Sequence, residues 1–387
     1  MRFFRNGLLI LVFLLAVSGT TTTLAQEGTP FELEASSAVL LDFESGQVLF
    51  RQNSDAAHTP ASLVKVMTMY VAFDQISQGR VSLQDTATVS ERAWRMTGSK
   101  MFLEPNEVVT IEQLIYGIAV VSGNDACVAL AEALAGTEEA YVAWMNNKAK
   151  ALNLDLQFVD VHGLSADNKI TAQAIAFLVR YYLQEHPEAI RYHQQLSFPY
   201  QPRSSSNPIV QSNRNGLLRS FEGADGLKTG HLQSAGYNLV GTAVQNNRRL
   251  IGVVLGATSE AKREQEMTTL LNYGYRNFDL VNISRLLEDK TARVYKGRQS
   301  QVGMAVAEPI ITVPKGIETS VSVGIQAKEL EAPIAKGSQI GVLNVYVEEQ
   351  LAKQVPLLAA DDVARGSWYQ VLWDQVRRFF NNLIRRR

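Results

Sequence analysis

The chain has 387 residues, 46% of them hydrophobic, with 37 Lys and Arg against 38 Asp and Glu. That length and apolar content allow more than one domain and a substantial core. A net charge of −1 gives no basis for general nucleic-acid binding. Cys127 is the only cysteine, which rules out an intramolecular disulfide. Within Asp125-Ala-Cys-Val-Ala-Leu130 it reads as a small buried apolar residue.

The N-terminus has a basic start, Met1 to Asn6, an apolar run from Gly7 to Val17, and small polar residues up to Ala25. This is the layout of a secretory signal peptide, and the run is short for a membrane span. The alternative is an uncleaved N-terminal anchor. Residues 1–25 are set apart from the fold on this basis.

Ser37 to Phe43 and Gln47 to Gln52 are short, apolar and β-prone around Glu44-Ser-Gly46, and predict a hairpin. Pro60 to Phe73 follows, almost wholly apolar apart from Ser62 and Lys65. Pro60 suits the first turn of a helix, and residues at i and i+3 share a face. A helix apolar on every side is a buried one. A hydroxyl and an amine are thus expected together at the start of a core helix. Burial lowers a lysine's pKa, and a neutral amine beside a serine can take its proton and make it a nucleophile. Ser-x-x-Lys alone is a weak signal, since two fixed residues recur by chance.

Residues 80–200 read as mainly helical. Met96 to Leu103 is a loop, Ile111 to Val121 a helix broken at Ser122-Gly-Asn124, and Asp125 to Leu134 a second helix. Glu138 to Ala151 and Thr171 to Gln184 are two more, the latter with Thr171 as its cap. Strands return at Ala224 to His231, Gly236 to Val244 and Arg249 to Leu255, with a turn at Asn246-Asn247, and Glu260 to Phe278 closes as a helix. Strands at both ends of a helical middle predict an α+β fold, one antiparallel sheet flanked by helices with an inserted helical subdomain. From Ile283, short runs at Val294-Tyr295, Ile310 to Val313, Thr319 to Val323 and Ile340 to Tyr346 predict a small all-β domain. The expected division is 1–25 signal peptide, 26–282 catalytic domain, 283–361 all-β domain and 362–387 terminal helix.

In that last helix Trp368, Leu372, Val376, Phe379 and Leu383 share one face, widened by Trp373, Phe380 and Ile384. Arg377, Arg378, Arg385, Arg386 and Arg387 add positive charge. An amphipathic helix of this composition at a chain end reads as an interfacial membrane anchor; the bland alternative is a helix docked on its own protein.

Two further short signatures accompany Ser62 and Lys65: Ser122-Gly-Asn124 at the helix break, and Lys228-Thr-Gly230 on a strand, followed by His231. In the order SxxK, SxN, KTG they resemble the signature set of the penicillin-binding and serine β-lactamase superfamily. Thr59 to Lys65, Met96 to Leu103, Val121 to Ala126 and Asp225 to His231 are similar to the low-molecular-mass D-alanyl-D-alanine carboxypeptidases, and Asn213 to Leu218 and Gly256 to Phe278 also fit. The resemblance covers nearly the whole mature chain.

It implies a serine β-lactamase/transpeptidase-like fold and a set of roles. Ser62 attacks the terminal D-Ala-D-Ala peptide bond, with Lys65 as base. Backbone N–H groups of Ser62 and His231 form the oxyanion hole. Ser122 and Lys228 relay a proton to the leaving D-alanine, and Asn124 binds the substrate amide. Arg214 and Thr229, beside Gly230, hold the terminal carboxylate. It implies peptidoglycan stem peptides as substrate, β-lactams as inhibitors, no metal or cofactor, no nucleic acid, and a peripheral place on the periplasmic face of the bacterial inner membrane. The loop from Asp160 to Asn168 resembles the family's loop beneath the site, without an assigned base. Leu232 follows His231 where the family usually has threonine. Ser-Gly-Asn rather than Ser-Asp-Asn favours the carboxypeptidases over class A β-lactamases. Rival readings are a DD-endopeptidase, a β-lactamase and a wall-binding protein with a degenerate site. The absence of Gly-x-Ser-x-Gly from the mature chain and of His-Glu-x-x-His disfavours a Ser-His-Asp hydrolase and a zinc protease.

Overall fold

The computed structural model describes residues 31–384, with side chains to Val376. The expected signal peptide lies outside the described residues, as do the side chains from Arg377 onward. The described chain falls into two compact units: one of residues up to Val281 together with Ile310–Glu318, the other of Asn282–Pro309 and everything from Thr319.

The first unit is built on a five-stranded antiparallel sheet. Its strands are β1 (Ser37–Asp42), β2 (Val48–Gln52), β3 (Ala224–Leu232), β4 (Gly236–Gln245) and β5 (Arg248–Ala257), in the order β2-β1-β5-β4-β3. The expected hairpin is formed by β1 and β2. Ser45 closes its turn, with backbone N–H and hydroxyl both donating to Asp42 Oδ1 at 2.8 and 2.9 Å. Between β4 and β5, Asn246 and Asn247 take φ values of +51° and +59°. Consecutive positive φ angles belong to the tight turn whose twist matches a hairpin, and asparagine tolerates them.

Side chains alternate across the sheet. Val39, Leu41, Val240, Ile251 and Val253 enter one apolar cluster; Ala38, Leu40, Leu239, Leu250 and Val254 enter another. A sheet buried on both faces needs near-continuous apolar strands, which is why β1 has no exposed residue.

The longer helices of this unit are α1 (Val64–Ser77), α2 (Ile111–Ala119), α3 (Asn124–Ala135), α4 (Glu138–Ala151), α5 (Ala172–Glu185) and α6 (Glu260–Asn277). Helix α6 brings Met267, Leu270 and Leu271 to the second cluster. Helices α1 to α5 contribute to the first, and α2 to α4 form the subdomain inserted between β2 and β3. The starts are capped as the sequence suggests: Thr110 and Gln113 make a reciprocal capping box, and Thr137, Thr171 and Ser259 each accept the N–H three residues on. Helix α1 is buried at every position from Val64 to Phe73. Each large apolar side chain there contributes roughly 1.5–3 kcal/mol of burial, which offsets the cost of enclosing Lys65.

The second unit is a six-stranded, mostly antiparallel sheet. Its strands are β6 (Thr291–Tyr295), β7 (Gln301–Val306), β8 (Val321–Ala327), β9 (Leu330–Glu331), β10 (Gln339–Val347) and β11 (Gln350–Ala359), in the order β8-β10-β11-β7-β6-β9, with only β6 and β9 parallel. The all-β character agrees with expectation, but one assignment is corrected. Ile310–Pro314, read as part of this sheet, pairs instead with Phe278–Asn282 and groups with the first unit. The Gln47 side chain holds it, accepting from Thr312 N at 2.6 Å and donating to Thr312 O at 3.0 Å.

Trp368–Ile384 forms α7, opened by Gln370 Oε1, which accepts from Ser367 N and Oγ at 2.9 and 3.0 Å. Trp368, Leu372, Trp373 and Val376 are exposed. Among the described residues no helix is long and apolar enough to cross a membrane.

Candidate active site

Ser62 is not in the α-helix proper, as the sequence had suggested. It sits in a single 3₁₀ turn, Ala61–Leu63, placed before α1, and Ala61 takes φ +51° at its entrance. The tighter turn keeps Ser62 on the face of Lys65. Lys65 Nζ lies 2.9 Å from Ser62 Oγ, 2.8 Å from Asn124 Oδ1 and 2.6 Å from the His162 carbonyl. Two of these partners can only accept, so a neutral amine spends both N–H bonds on Asn124 and His162. Its lone pair is then left for the Ser62 hydroxyl. Lys65 is fully buried; burial holds its pKa below the usual lysine range and the Arg214 charge pushes the same way, against Asp160 and Asp125.

Asn124 opens α3, and Ser122 precedes it in the break with φ +62°. Asn124 is fixed from both sides: its Nδ2 donates to Thr97 O at 2.7 Å and its backbone N–H to Ser99 O at 2.8 Å. Buried Asp125 accepts the N–H groups of Met101, Phe102 and Leu103 at 2.8, 2.9 and 3.1 Å. The 96–103 loop is thereby fastened to the start of α3. Ser122 Oγ is buried and has no hydrogen-bond partner among the described residues.

Lys228 projects from the middle of β3, almost fully buried, and donates to Thr229 O at 2.9 Å. Burial pushes its pKa far down, and Lys65, Arg214 and Arg263 add to the effect. The Ser122 and Lys228 side chains, expected to work as a pair, are not hydrogen-bonded to each other here. A fourth basic group near the site, Arg263 on α6, is 2% exposed; nothing in the sequence marks it, because a lone arginine near a helix start carries no motif.

β3 runs along the Ser62 turn. A Cβ on Gly230 would lie 2.7 Å from Pro60 O and 3.1 Å from Ser62 N, so only glycine permits this approach. Thr229 is buried and Arg214 exposed. His231 is exposed and stacks on Tyr237 with ring centroids 4.1 Å apart, so its ring is turned to the rim and its backbone to the strand.

The 160–168 loop supplies the His162 carbonyl that the motifs did not foretell. Asp160 accepts from the N–H groups of His162, Gly163 and Ser165 at 3.1, 2.5 and 2.8 Å. Gly163 has φ +87°, and a Cβ there would collide with Ala61 O at 1.9 Å. The loop therefore closes directly under the Ser62 turn. Away from this cluster, Asp74, Glu185 and His186 converge within 4.8 Å. Lys148 ion-pairs with Asp74 and Glu185 at 3.0 and 2.9 Å, so an ammonium already serves those carboxylates.

This arrangement has known counterparts. A family model described as D-alanyl-D-alanine carboxypeptidase matches residues 21–259, and one described as the penicillin-binding protein 5 C-terminal domain matches residues 283–365. D-alanyl-D-alanine carboxypeptidase DacC of Escherichia coli is 36% identical over 362 residues, covering 90% of this chain and 89% of that protein. The crystal structure of penicillin binding protein 5 from Haemophilus influenzae superposes with a TM-score of 0.80 at 35% identity, covering 87% of this chain and all (100%) of that one. The ampicillin-bound form of penicillin-binding protein D2 from Listeria monocytogenes matches with a TM-score of 0.57 at 26% identity, over 64% of this chain and 100% of that one. The fold and the succession of a peptidase segment and a penicillin-binding protein 5 C-terminal segment agree over most of the chain, which belongs to the D-alanyl-D-alanine carboxypeptidase family of low-molecular-mass penicillin-binding proteins.

Proposed function

We propose that this protein is a serine-type D-alanyl-D-alanine carboxypeptidase that trims the terminal D-alanine from peptidoglycan stem pentapeptides. The observation that carries this reading is the Lys65 amine, buried, held by two acceptors and 2.9 Å from the Ser62 hydroxyl.

Lys65 takes the Ser62 proton while Ser62 Oγ bonds to the carbonyl carbon of the penultimate D-alanine. Charge gathers on the carbonyl oxygen, facing the backbone N–H groups of Ser62 and His231, where β3 runs against the 3₁₀ turn. The C–N bond then breaks, and the departing D-alanine nitrogen takes a proton by way of Ser122 and Lys228. A buried hydroxyl with no partner among the described residues suits that relay, because a substrate nitrogen can supply the missing bond. Asn124 meets the amide on the acyl side. Arg214 and Thr229 bind the terminal carboxylate, with the guanidinium of buried Arg263 adding positive charge nearby. Water attacks the resulting ester and frees Ser62. A β-lactam enters the same first step, but its broken C–N bond leaves the amine tethered, so the acyl-enzyme persists.

The N-terminal segment serves as the export signal and α7 as a peripheral anchor, which puts the protein at the outer face of the bacterial cytoplasmic membrane. The exposure of Trp368, Leu372 and Val376 on one side of α7 supports that role.

The test is release of D-alanine from a soluble pentapeptide, beside labelling by fluorescent penicillin, for the full chain and for Ser62→Ala. Both signals are expected from the first protein and neither from the second. D-alanine release by Ser62→Ala would overturn the reading.

A further inference from the structure

The His162 carbonyl is one of two fixed acceptors for the Lys65 amine, yet it belongs to a loop and has to be held in place. Two residues of α1 grip that segment from one side. Lys65 Nζ donates to His162 O at 2.6 Å, and Thr68 Oγ1, three residues on and on the same face, donates to Val161 O at 2.7 Å. The opposite side of the same two residues is held by one carboxylate. Glu138 Oε1 accepts from Val161 N at 3.2 Å and lies 3.5 Å from His162 Nε2. The His162 ring is oriented for this, since its Nδ1 accepts from Leu164 N at 3.2 Å, leaving Nε2 to carry the proton. The other oxygen, Glu138 Oε2, is 2.5 Å from Arg92 Nη2, so the charge is balanced from the surface side. Glu138 is the first residue of α4, 6% exposed, and outside the three motifs. Its neighbour Glu139 also pairs with Arg92, at 3.1 Å, but is exposed on the surface side of that arginine.

We propose that Glu138 is a positioning residue for the reaction: by gripping Val161 and His162 from the side opposite α1, it aims the His162 carbonyl at Lys65 and so keeps that amine dry and beside Ser62. This rests on the reading of Lys65 as the base. If the grip is released, the loop backs away, water reaches the amine and the desolvation that lowers its pKa is relieved. Neutral amine then appears only at higher pH, and fewer molecules are competent at neutrality.

The experiment measures the acylation rate by a fluorescent penicillin against pH, with thermal melting as a check on folding, for the full chain, Glu138→Ala, Glu138→Gln, Glu138→Asp and Glu139→Gln. Glu138→Ala is expected to acylate about tenfold or more slowly at neutral pH, the scale of a small misplacement of a reacting group. Its acid limb is expected to move up by about one pH unit. Glu138→Asp, which keeps the charge but withdraws the carboxylate by one methylene, is expected to shift the limb in the same direction. Glu138→Gln, which keeps an acceptor for Val161 N, is expected to retain the original limb, as is Glu139→Gln. A folded Glu138→Ala or Glu138→Asp protein with an unchanged pH profile overturns the proposal. So does Glu139→Gln if it shifts the limb as much, since the effect would then belong to the charge on Arg92. Failure of the unmodified chain to acylate at all would instead overturn the assignment of Ser62 and Lys65.

Discussion

Lys65 Nζ stands 2.9 Å from Ser62 Oγ although the two residues belong to different kinds of turn, one α-helical and one 3₁₀. The amine is useful there only when neutral. Burial, with Arg214 in support, moves its pKa down toward the range where this holds. Lys65→Arg keeps length and charge but cannot lose its proton. Penicillin acylation and D-alanine release are both expected to fall by about a hundredfold or more, the usual contribution of a positioned base. Stopped-flow or gel-based labelling reads this directly, and near-normal acylation by the arginine variant would remove Lys65 from the role of base.

Lys228 carries a stability consequence. Its folded pKa is well below the ordinary 10.5, chiefly from burial. Between the two values the unfolded chain binds a proton that the folded protein does not, so stability rises with pH across that window and is lost as pH falls through it. Lys228→Met, of similar length and without the charge, is expected to be more stable than the unmodified protein at neutral pH and inactive. Its advantage should narrow as pH is raised toward 10.5. Urea unfolding at a series of pH values measures the gap; a gap independent of pH would contradict the assignment.

The approach of β3 to the Ser62 turn depends on Gly230. An alanine there puts a methyl group 2.7 Å from Pro60 O and 3.1 Å from Ser62 N. Strand and turn must then separate by several tenths of an ångström. Gly230→Ala is expected to slow acylation by roughly ten- to a hundredfold while leaving a cooperative unfolding transition. Acylation at the normal rate would show that the strand and turn move without consequence.

Helix α7 makes a separable prediction. Deleting residues 365–387 is expected to leave the protein in the supernatant when anionic vesicles are sedimented, whereas the full chain pellets. Hydrolysis of a soluble pentapeptide is expected to be the same for both. A truncated protein that still pellets would assign membrane contact to another surface.

Much of this architecture can be read in the residues. The β1–β2 hairpin, the bounds of α4 and the Thr171 cap of α5 follow from local chemistry: alternation, a turn at Ser45-Gly46, and threonines that cap. Elements fixed by distant partners do not show. Ile310–Pro314 looks like any short apolar strand, and its place is decided by the Gln47 side chain, far away in sequence. β11, with Lys353 and Gln354 in its middle and Pro356 beyond them, lacks the clean alternation that would announce a strand. The site divides the same way. Ser62, Lys65, Ser122, Asn124 and Lys228 stand in short recognisable motifs. The His162 and Thr97 carbonyls are backbone atoms, which any residue type provides, and Glu138 acts through a backbone N–H and a ring nitrogen. The 3₁₀ turn at Ala61–Leu63 is hidden because its residues suit an α-helix equally well, and the close packing of Gly163 and Gly230 around it arises only in three dimensions.

Mass spectrometry after brief exposure to benzylpenicillin, with the modified peptide sequenced, reaches the central claim most directly. The account predicts one covalent adduct per chain, carried on Ser62, absent from Ser62→Ala and strongly reduced in Lys65→Arg. An adduct on any other residue, or an unmodified protein that still releases D-alanine, would contradict it.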